Sequence, residues 1–317
     1  MPNYQGVWSL SEQYQAIGQQ NWPTPPPIGF FAGQLSAGSN FINRIDISTT
    51  GNATDVGDLT VPRYIGAGAS SSTRGLFAGG YSADLGARSN VIDYITMPTG
   101  GNALDFGDLV AAENYLYGAS NSTRALFAMG TDGSSQTNRI QYVTIASTGN
   151  AADFGDRTIT GYGPGGFASS TRAVWGGAYV SGAFSNVIDY VTIASAGNAL
   201  DFGDLTIGRQ SAAGAASATR GLFAGGFGAG ENVIDYVTIA STGNATDFGD
   251  LTVSRYGAGG ASSSTRAVFG AGLNNFYNGM DYVTIASTGN AADFGDYTSG
   301  NSFGSSMACS NAHGGLS

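Results

Sequence analysis

The chain has 317 residues, of which 51 are glycine and none is lysine; twelve arginines face 19 aspartates and 3 glutamates, and the net charge is −10. Long helices draw on Ala, Leu, Glu, Lys and Gln, so this composition argues against an all-α or α/β protein. A pI near 4.3 argues against nucleic-acid binding, which needs a basic footprint, and against docking on anionic lipid.

Residues 1–28 differ from everything after them. Ser9-Leu10-Ser11-Glu12 offers a capping box, and Leu10, Tyr14 and Ile17 then fall on one helical face. The predicted helix ends at Gly18, ahead of Trp22-Pro23, and Thr24-Pro25-Pro26-Pro27 reads as a stiff polyproline spacer. Two readings are open: a short helix packed on the rim of the following domain, or a docking segment that joins it to something larger. Val7, Trp8, Leu10, Tyr14, Ile17 and Trp22 carry more apolar surface than an idle tail needs, which favours docking. Met1-Pro2-Asn3-Tyr4 lacks the basic start of a signal peptide, and no apolar run is long enough to span a membrane. The expectation is a protein made in the cytoplasm without membrane insertion.

Residues 29–317 are a repeat. Asp-[Phe/Val]-Gly-Asp begins at Asp55, Asp105, Asp153, Asp201, Asp247 and Asp293, and Thr-Arg follows at Arg74, Arg124, Arg172, Arg220 and Arg266, nineteen residues after the first Asp in each case. Four strand-like pieces make up each unit: a small-residue run (Tyr256 to Ser263), an apolar run ending in Gly-Gly (Gly221 to Gly226), an alternating β-branched run (Asn232 to Ala240) and the Asp-x-Gly-Asp piece (Thr246 to Val253). The third piece is apolar on both faces, as a sheet sandwiched between two others requires. Six units of four strands predict a six-bladed β-propeller, an all-β ring of four-stranded blades. The first unit begins at its second strand, Gly29-Phe30-Phe31-Ala32, and an unpaired first strand remains at about Asn301 to Ser310. That arrangement closes blade one with the C-terminal strand and removes the free sheet edges.

The units resemble kelch or galactose-oxidase-like repeats. Leu76 to Gly80 and Leu222 to Gly226 sit where that family carries its apolar run and double glycine. Ile92-Asp93-Tyr94, Ile188 to Tyr190 and Ile234 to Tyr236 sit at its Tyr-Asp pair, and Arg255-Tyr256-Gly257 matches its Arg-x-Gly/His. The family's usual Trp is replaced by Phe106, Phe154, Phe202, Phe248 and Phe294. The resemblance implies a fold and no particular chemistry. The opening segment (Gly6-Val7-Trp8-Ser9-Leu10, Tyr14-Gln15-Ala16, Trp22-Pro23) ahead of such repeats looks like proteins of tailed phages of aquatic bacteria, which implies a tail or fibre component of the virion.

Periodic residues read as architecture, because catalysis needs one asymmetric site. The Asp-x-Gly-Asp pairs lack the further oxygens of a calcium loop, and are expected to cap turns and pair with the repeated arginines in a blade-to-blade ladder. Asp93, Asp189, Asp235 and Asp281 recur in the third strand, and Gln141 replaces them once, which marks a hydrogen-bonding position rather than a general acid. A single histidine, His313, rules out a His-based triad, a multi-histidine zinc site and the two-histidine copper chemistry of galactose oxidase. Cys309 is the single cysteine and is expected to be a buried small hydrophobe. No catalytic residue, metal ligand or cofactor is therefore assigned.

Variation among the units falls between their second and third strands, on one face of a propeller. These loops carry Tyr81, Asp84, Arg88, Asp132, Tyr179, Phe184, Phe227, Glu231, Asn275, Phe276 and Tyr277. Aromatic rings beside Asp, Asn and Arg suit sugar or protein recognition, and drift of unselected loops is the plain alternative. The expected function is non-enzymatic: a virion component in multiple copies, whose residues 1–28 dock to other tail proteins while the loops face a host glycan or protein or a neighbouring subunit. A soluble glycan-binding lectin is the alternative, and a glycosidase a further one.

Overall fold

The computed structural model describes residues 25–33, 40–272, 278–297 and 307–316. Six four-stranded antiparallel sheets make a six-bladed ring. Blade two is typical: Ala67–Ser70, Arg74–Ala78, Val91–Thr96 and Leu104–Asp108 run from the axis outwards as strands 1 to 4. The first strand of blade one is Met307–Ser310, pairing antiparallel with Ile28–Ala32 through Phe30↔Cys309 and Phe31↔Ala308. The predicted closure is thus present. The residues predicted to form the N-terminal helix lie outside the described residues.

The core lies between blades. Six apolar clusters form, one for each neighbouring pair of blades. Period-2 alternation explains this, because successive side chains point to opposite faces of the sheet. Leu76 and Ala78 face blade three while Phe77, between them, faces blade one.

One motif stitches all six blades. The backbone N–H of Asp58 donates to Asn102 Oδ1 of the next blade, and the same bond recurs around the ring to Asp296 and Asn52, at 3.0–3.1 Å. The Gly-Asn of the strand 3–4 turn is therefore an inter-blade bridge as well as a turn. Room for it is made by Gly57, whose missing Cβ would overlap the Gly101 carbonyl.

The expected arginine–aspartate ladder is corrected. Arg74, Arg124, Arg172, Arg220 and Arg266 donate at 2.8–3.0 Å to backbone carbonyls of the next blade (Ile145, Ile193, Ile239, Ile285 and Ile47). Each guanidinium lies 4.5–5.0 Å from the centroid of a strand-3 tyrosine ring, as Arg74 does over Tyr94. The carbonyls at the end of strand 3 have no ladder partner and face the arginine directly, whereas the first Asp of Asp-x-Gly-Asp is exposed to water.

The axis is tightly filled. A Cβ on Gly68, Gly118, Gly214 or Gly260 would strike a carbonyl oxygen of a neighbouring first strand. Serine hydroxyls join the same strands: Ser120 Oγ donates to Ser70 O, Ser70 Oγ to Ser310 O, Ser310 Oγ to Ser262 O and Ser262 Oγ to Ala216 O, all at 2.8–2.9 Å. Tyr117 reaches across the axis and accepts the Gly214 N–H at 2.7 Å. Desolvation pushes its phenol up to about 12. Its side chain lies between a cavity of about 50 Å³ on one side and a shallow pit on the other. Cys309 is buried against this core, and burial pushes its thiol up.

The C-terminal residues close one end. His313 Nε2 lies 3.1 Å from Ser70 O and the Gly315 N–H donates to His313 Nδ1 at 3.1 Å, so the neutral imidazole with its proton on Nε2 satisfies both bonds. Desolvation in this mouth pushes the imidazole down to about 4 from 6.5. The folded state thus favours the neutral ring. Its contribution is complete above the unfolded value and is lost as pH falls towards the folded one. Thermal melts from pH 7 down to pH ~4 are expected to show this loss in the natural chain and not in His313→Ala; identical pH profiles for the two would refute the assignment.

Candidate functional site

The two faces of the ring differ in kind. The turns joining strands 1 to 2 and 3 to 4 lie on one face, with the His313 plug. The strand 2–3 loops and the linkers between blades lie on the other, hereafter the loop face.

Buried ion pairs position the linkers. Arg63 lies in the linker into blade two and donates through Nη1 to Asp93 of that blade at 2.8 Å, through Nε to Gly79 O and through Nη2 to Phe77 O. Arg157–Asp189, Arg209–Asp235 and Arg255–Asp281 repeat the pair at 2.7–3.0 Å, with every side chain fully buried. Thr60, Thr158, Thr206 and Thr252 each donate a hydroxyl to the same carboxylates. The hydrogen-bonding role expected for Asp93 and its equivalents is therefore present. In blade three Gln141 accepts the Val110 N–H at 2.7 Å, Glu113 takes the arginine position, and Arg139 answers Glu113 at 2.6 Å. Burial raises the Glu113 carboxyl, and Arg139 opposes that shift.

Three linkers are fastened to the loop of their own blade: Tyr64, which follows Arg63, bridges to Tyr81; Tyr162, five residues after Arg157, bridges to Tyr179; and Gln210, which follows Arg209, pairs with Phe227. One residue later the backbone turns left-handed: φ is +59° at Ile65, +58° at Tyr115, +70° at Gly163, +56° at Ser211 and +68° at Gly257. These five residues form a collar around the axis. Tyr115 N donates to Ile65 O, Gly163 N to Tyr115 O, Ser211 N to Gly163 O and Gly257 N to Ser211 O, at 2.6–2.8 Å. Three members are not glycine, and αL costs such residues about 1–2 kcal/mol each. Strained backbone of this kind concentrates where a site is preorganised. The collar walls the shallow loop-face pit, and Tyr117 lies at its floor.

Around the pit runs an arc of six rings: Tyr115, Tyr162, Tyr179, Phe184, Phe227 and Tyr256, each 4.9–5.6 Å from the next. Phe184 and Phe227 are 37% and 41% exposed, so the arc presents apolar surface to solvent. Burial raises the Tyr115 phenol, and Tyr162, Tyr64 and Tyr256 around it raise it further, so this phenol stays a protonated donor.

Of the residues singled out from sequence, Tyr179, Phe184 and Phe227 come together in this arc. Tyr81 and Arg88 form a separate pair: Arg88 lies 6.0 Å from the Tyr81 centroid and donates to Asn114 Oδ1 at 3.0 Å. Asp132 accepts the Ser134 and Ser135 N–H groups, which fixes its own loop and lowers its carboxyl. Asp84 is exposed on the loop of blade two, and Glu231 sits in the loop of blade five, where its carbonyl accepts the Arg255 N–H. Asn275, Phe276 and Tyr277 lie outside the described residues, as do Val7, Trp8, Leu10, Tyr14, Ile17 and Trp22. Sequence reasoning missed Tyr115, Tyr162 and Tyr256, half of the arc. Their one signal was an aromatic residue six or seven positions after the Asp-x-Gly-Asp motif. Among the described residues, no three His, Cys, Asp or Glu side chains converge as a metal site.

No family model matches the chain, and no curated protein matches it.

Proposed function

We propose that this chain is a non-enzymatic recognition module of a tailed-phage virion, a tail or fibre component present in many copies. One observation carries the reading: the ring is polar in layout. The chain reaches blade one from the turn face, where Asn311 accepts the Ile28 N–H at 2.7 Å and donates to Pro26 O at 3.2 Å. Pro26 and Ile28 are therefore held at the face opposite the variable loops. A module attached through its N-terminal segment would turn its aromatic loop face outward. The kelch-like units and the opening segment, with their resemblance to phage proteins, support the same reading. The N-terminal segment would dock to other tail proteins, and the loop face would meet the host surface or a neighbouring subunit.

Deletion of residues 1–24 tests this. The shortened chain is expected to melt as the natural one does and to be absent from assembled particles; incorporation at the natural level would overturn the docking role. The second reading, a soluble glycan-binding propeller independent of a particle, is favoured by the exposed arc alone. A glycosidase would need two carboxylates facing one bond. Asp84, Asp132 and Glu231 stand on the loops of three different blades.

A further inference from the structure

The arc is not evenly charged or evenly satisfied. Its outer part is built from the loops and linkers of blades four and five and the linkers on either side. Among the described residues there, Arg157, Arg209 and Arg255 are buried in their ion pairs, and Glu231 is the one charged side chain that reaches solvent. The position that carries tyrosine in Tyr64, Tyr162 and Tyr256 carries Gln210 here, next to Ser211 of the collar. Gln210 Oε1 is shielded from solvent and meets no donor among the described residues. Such an acceptor is costly in the folded chain unless something answers it. It pairs through its backbone with Phe227, the most exposed ring of the arc.

We propose that this part of the loop face binds a neutral saccharide. The apolar C–H face of a pyranose would stack on Phe227 and Tyr256, and the half-buried Gln210 amide would turn its Oε1 outward to accept a sugar hydroxyl. The Tyr162 and Tyr256 phenols would read neighbouring hydroxyls as donors or acceptors. Aromatic rings with sparse polar groups suit a ligand that is itself apolar on one face and polar at its edges. An anionic sugar would find no accessible cation in this part of the arc and would meet Glu231. The inference rests on the loop face being the recognition face.

The full chain, applied to an array of neutral and anionic oligosaccharides at equal density, tests the site. Retention on neutral saccharides is expected, and Phe227→Ala and Gln210→Leu are each expected to weaken it about tenfold or more. Melting temperature separates a binding role from a structural one. Gln210→Leu removes an unanswered acceptor, so its melting temperature is expected to hold or rise, whereas a structural glutamine would lose stability on this change. Leu85→Ala, at the exposed loop of blade two, is expected to bind as the natural chain does. Retention of no saccharide, retention of anionic ones alone, or unchanged binding by both arc variants would overturn the proposal. Each of those results leaves particle incorporation untouched, so failure here and failure of the docking reading are told apart.

Discussion

A chain truncated after Tyr297 is expected to lose its cooperative thermal transition altogether. Met307–Ser310 supplies the innermost strand of blade one and pairs with four residues of Ile28–Ala32. Without it, Phe30 and Phe31, now buried, line an open edge, and the cluster between blades one and two loses Met307 and Cys309. The serine seam breaks at Ser310, its link between Ser70 and Ser262. A linear repeat array survives loss of a terminal unit because each unit contacts only its neighbours. A ring differs: opening one joint leaves two apolar blade faces in water at once. The loss is therefore comparable with the whole stability of a domain, about 5–15 kcal/mol. Circular dichroism melts and gel filtration read the outcome, and a peptide of residues 298–317 added in trans is expected to restore part of the transition. A truncated chain that melts as the full one does would show that the closing strand is dispensable.

The ring was legible because each blade repeats the same side-chain alternation, and both faces of every sheet meet a neighbour. The unpaired strand at Met307–Ser310 could be read from the count of first strands alone. The buried ion pairs were only half legible. Asp93 and its equivalents stand out by their period, but the partner arginine does not. Arg63, Arg209 and Arg255 lie eight residues after the first Asp of their motif, whereas Arg157 lies four after Asp153 and still reaches Asp189 at 2.7 Å. A guanidinium is long enough to fill one buried space from two backbone positions, so the position does not repeat although the contact does. The reverse holds for Arg74 and its equivalents: their period matched the aspartates, but a shared period does not give a shared contact, and the nearest orphan acceptors were carbonyls. Site residues escaped for a related reason. The loops vary in length and drew attention, while the linkers keep nearly constant length and vary in identity. Tyr115 comes one residue later than Tyr64 or Tyr162 and occupies the αL collar position itself. Only the fold shows that a linker and the next loop share a face.

Asp189→Ala is expected to lower stability by about 3–5 kcal/mol, read as a lower urea midpoint with unchanged slope. Asp189 and Arg157 are both fully buried, and the carboxylate also accepts the Thr158 N–H at 2.9 Å and the Thr158 hydroxyl at 2.7 Å. Removing it leaves a buried guanidinium and two further donors without their acceptor. Most of the cost comes from that unanswered charge rather than from the lost attraction, because bringing two charges out of water consumes much of what their pairing returns. The double variant Arg157→Leu, Asp189→Leu is therefore expected to recover most of the loss. Blade three already demonstrates the principle within the chain: Glu113 and Gln141 occupy the positions of Arg63 and Asp93, and Arg139 answers the inverted charge. What this position demands is a satisfied buried group, and the sign of the charge is secondary. If Asp189→Ala costs under about 1 kcal/mol, the pair is no more than a surface-type contact and this account of how the linkers are pinned fails. If the double variant is as unstable as the single one, the pair contributes through its attraction, and Arg157 also loses its donations to Gly177 O and Trp175 O as a measurable term.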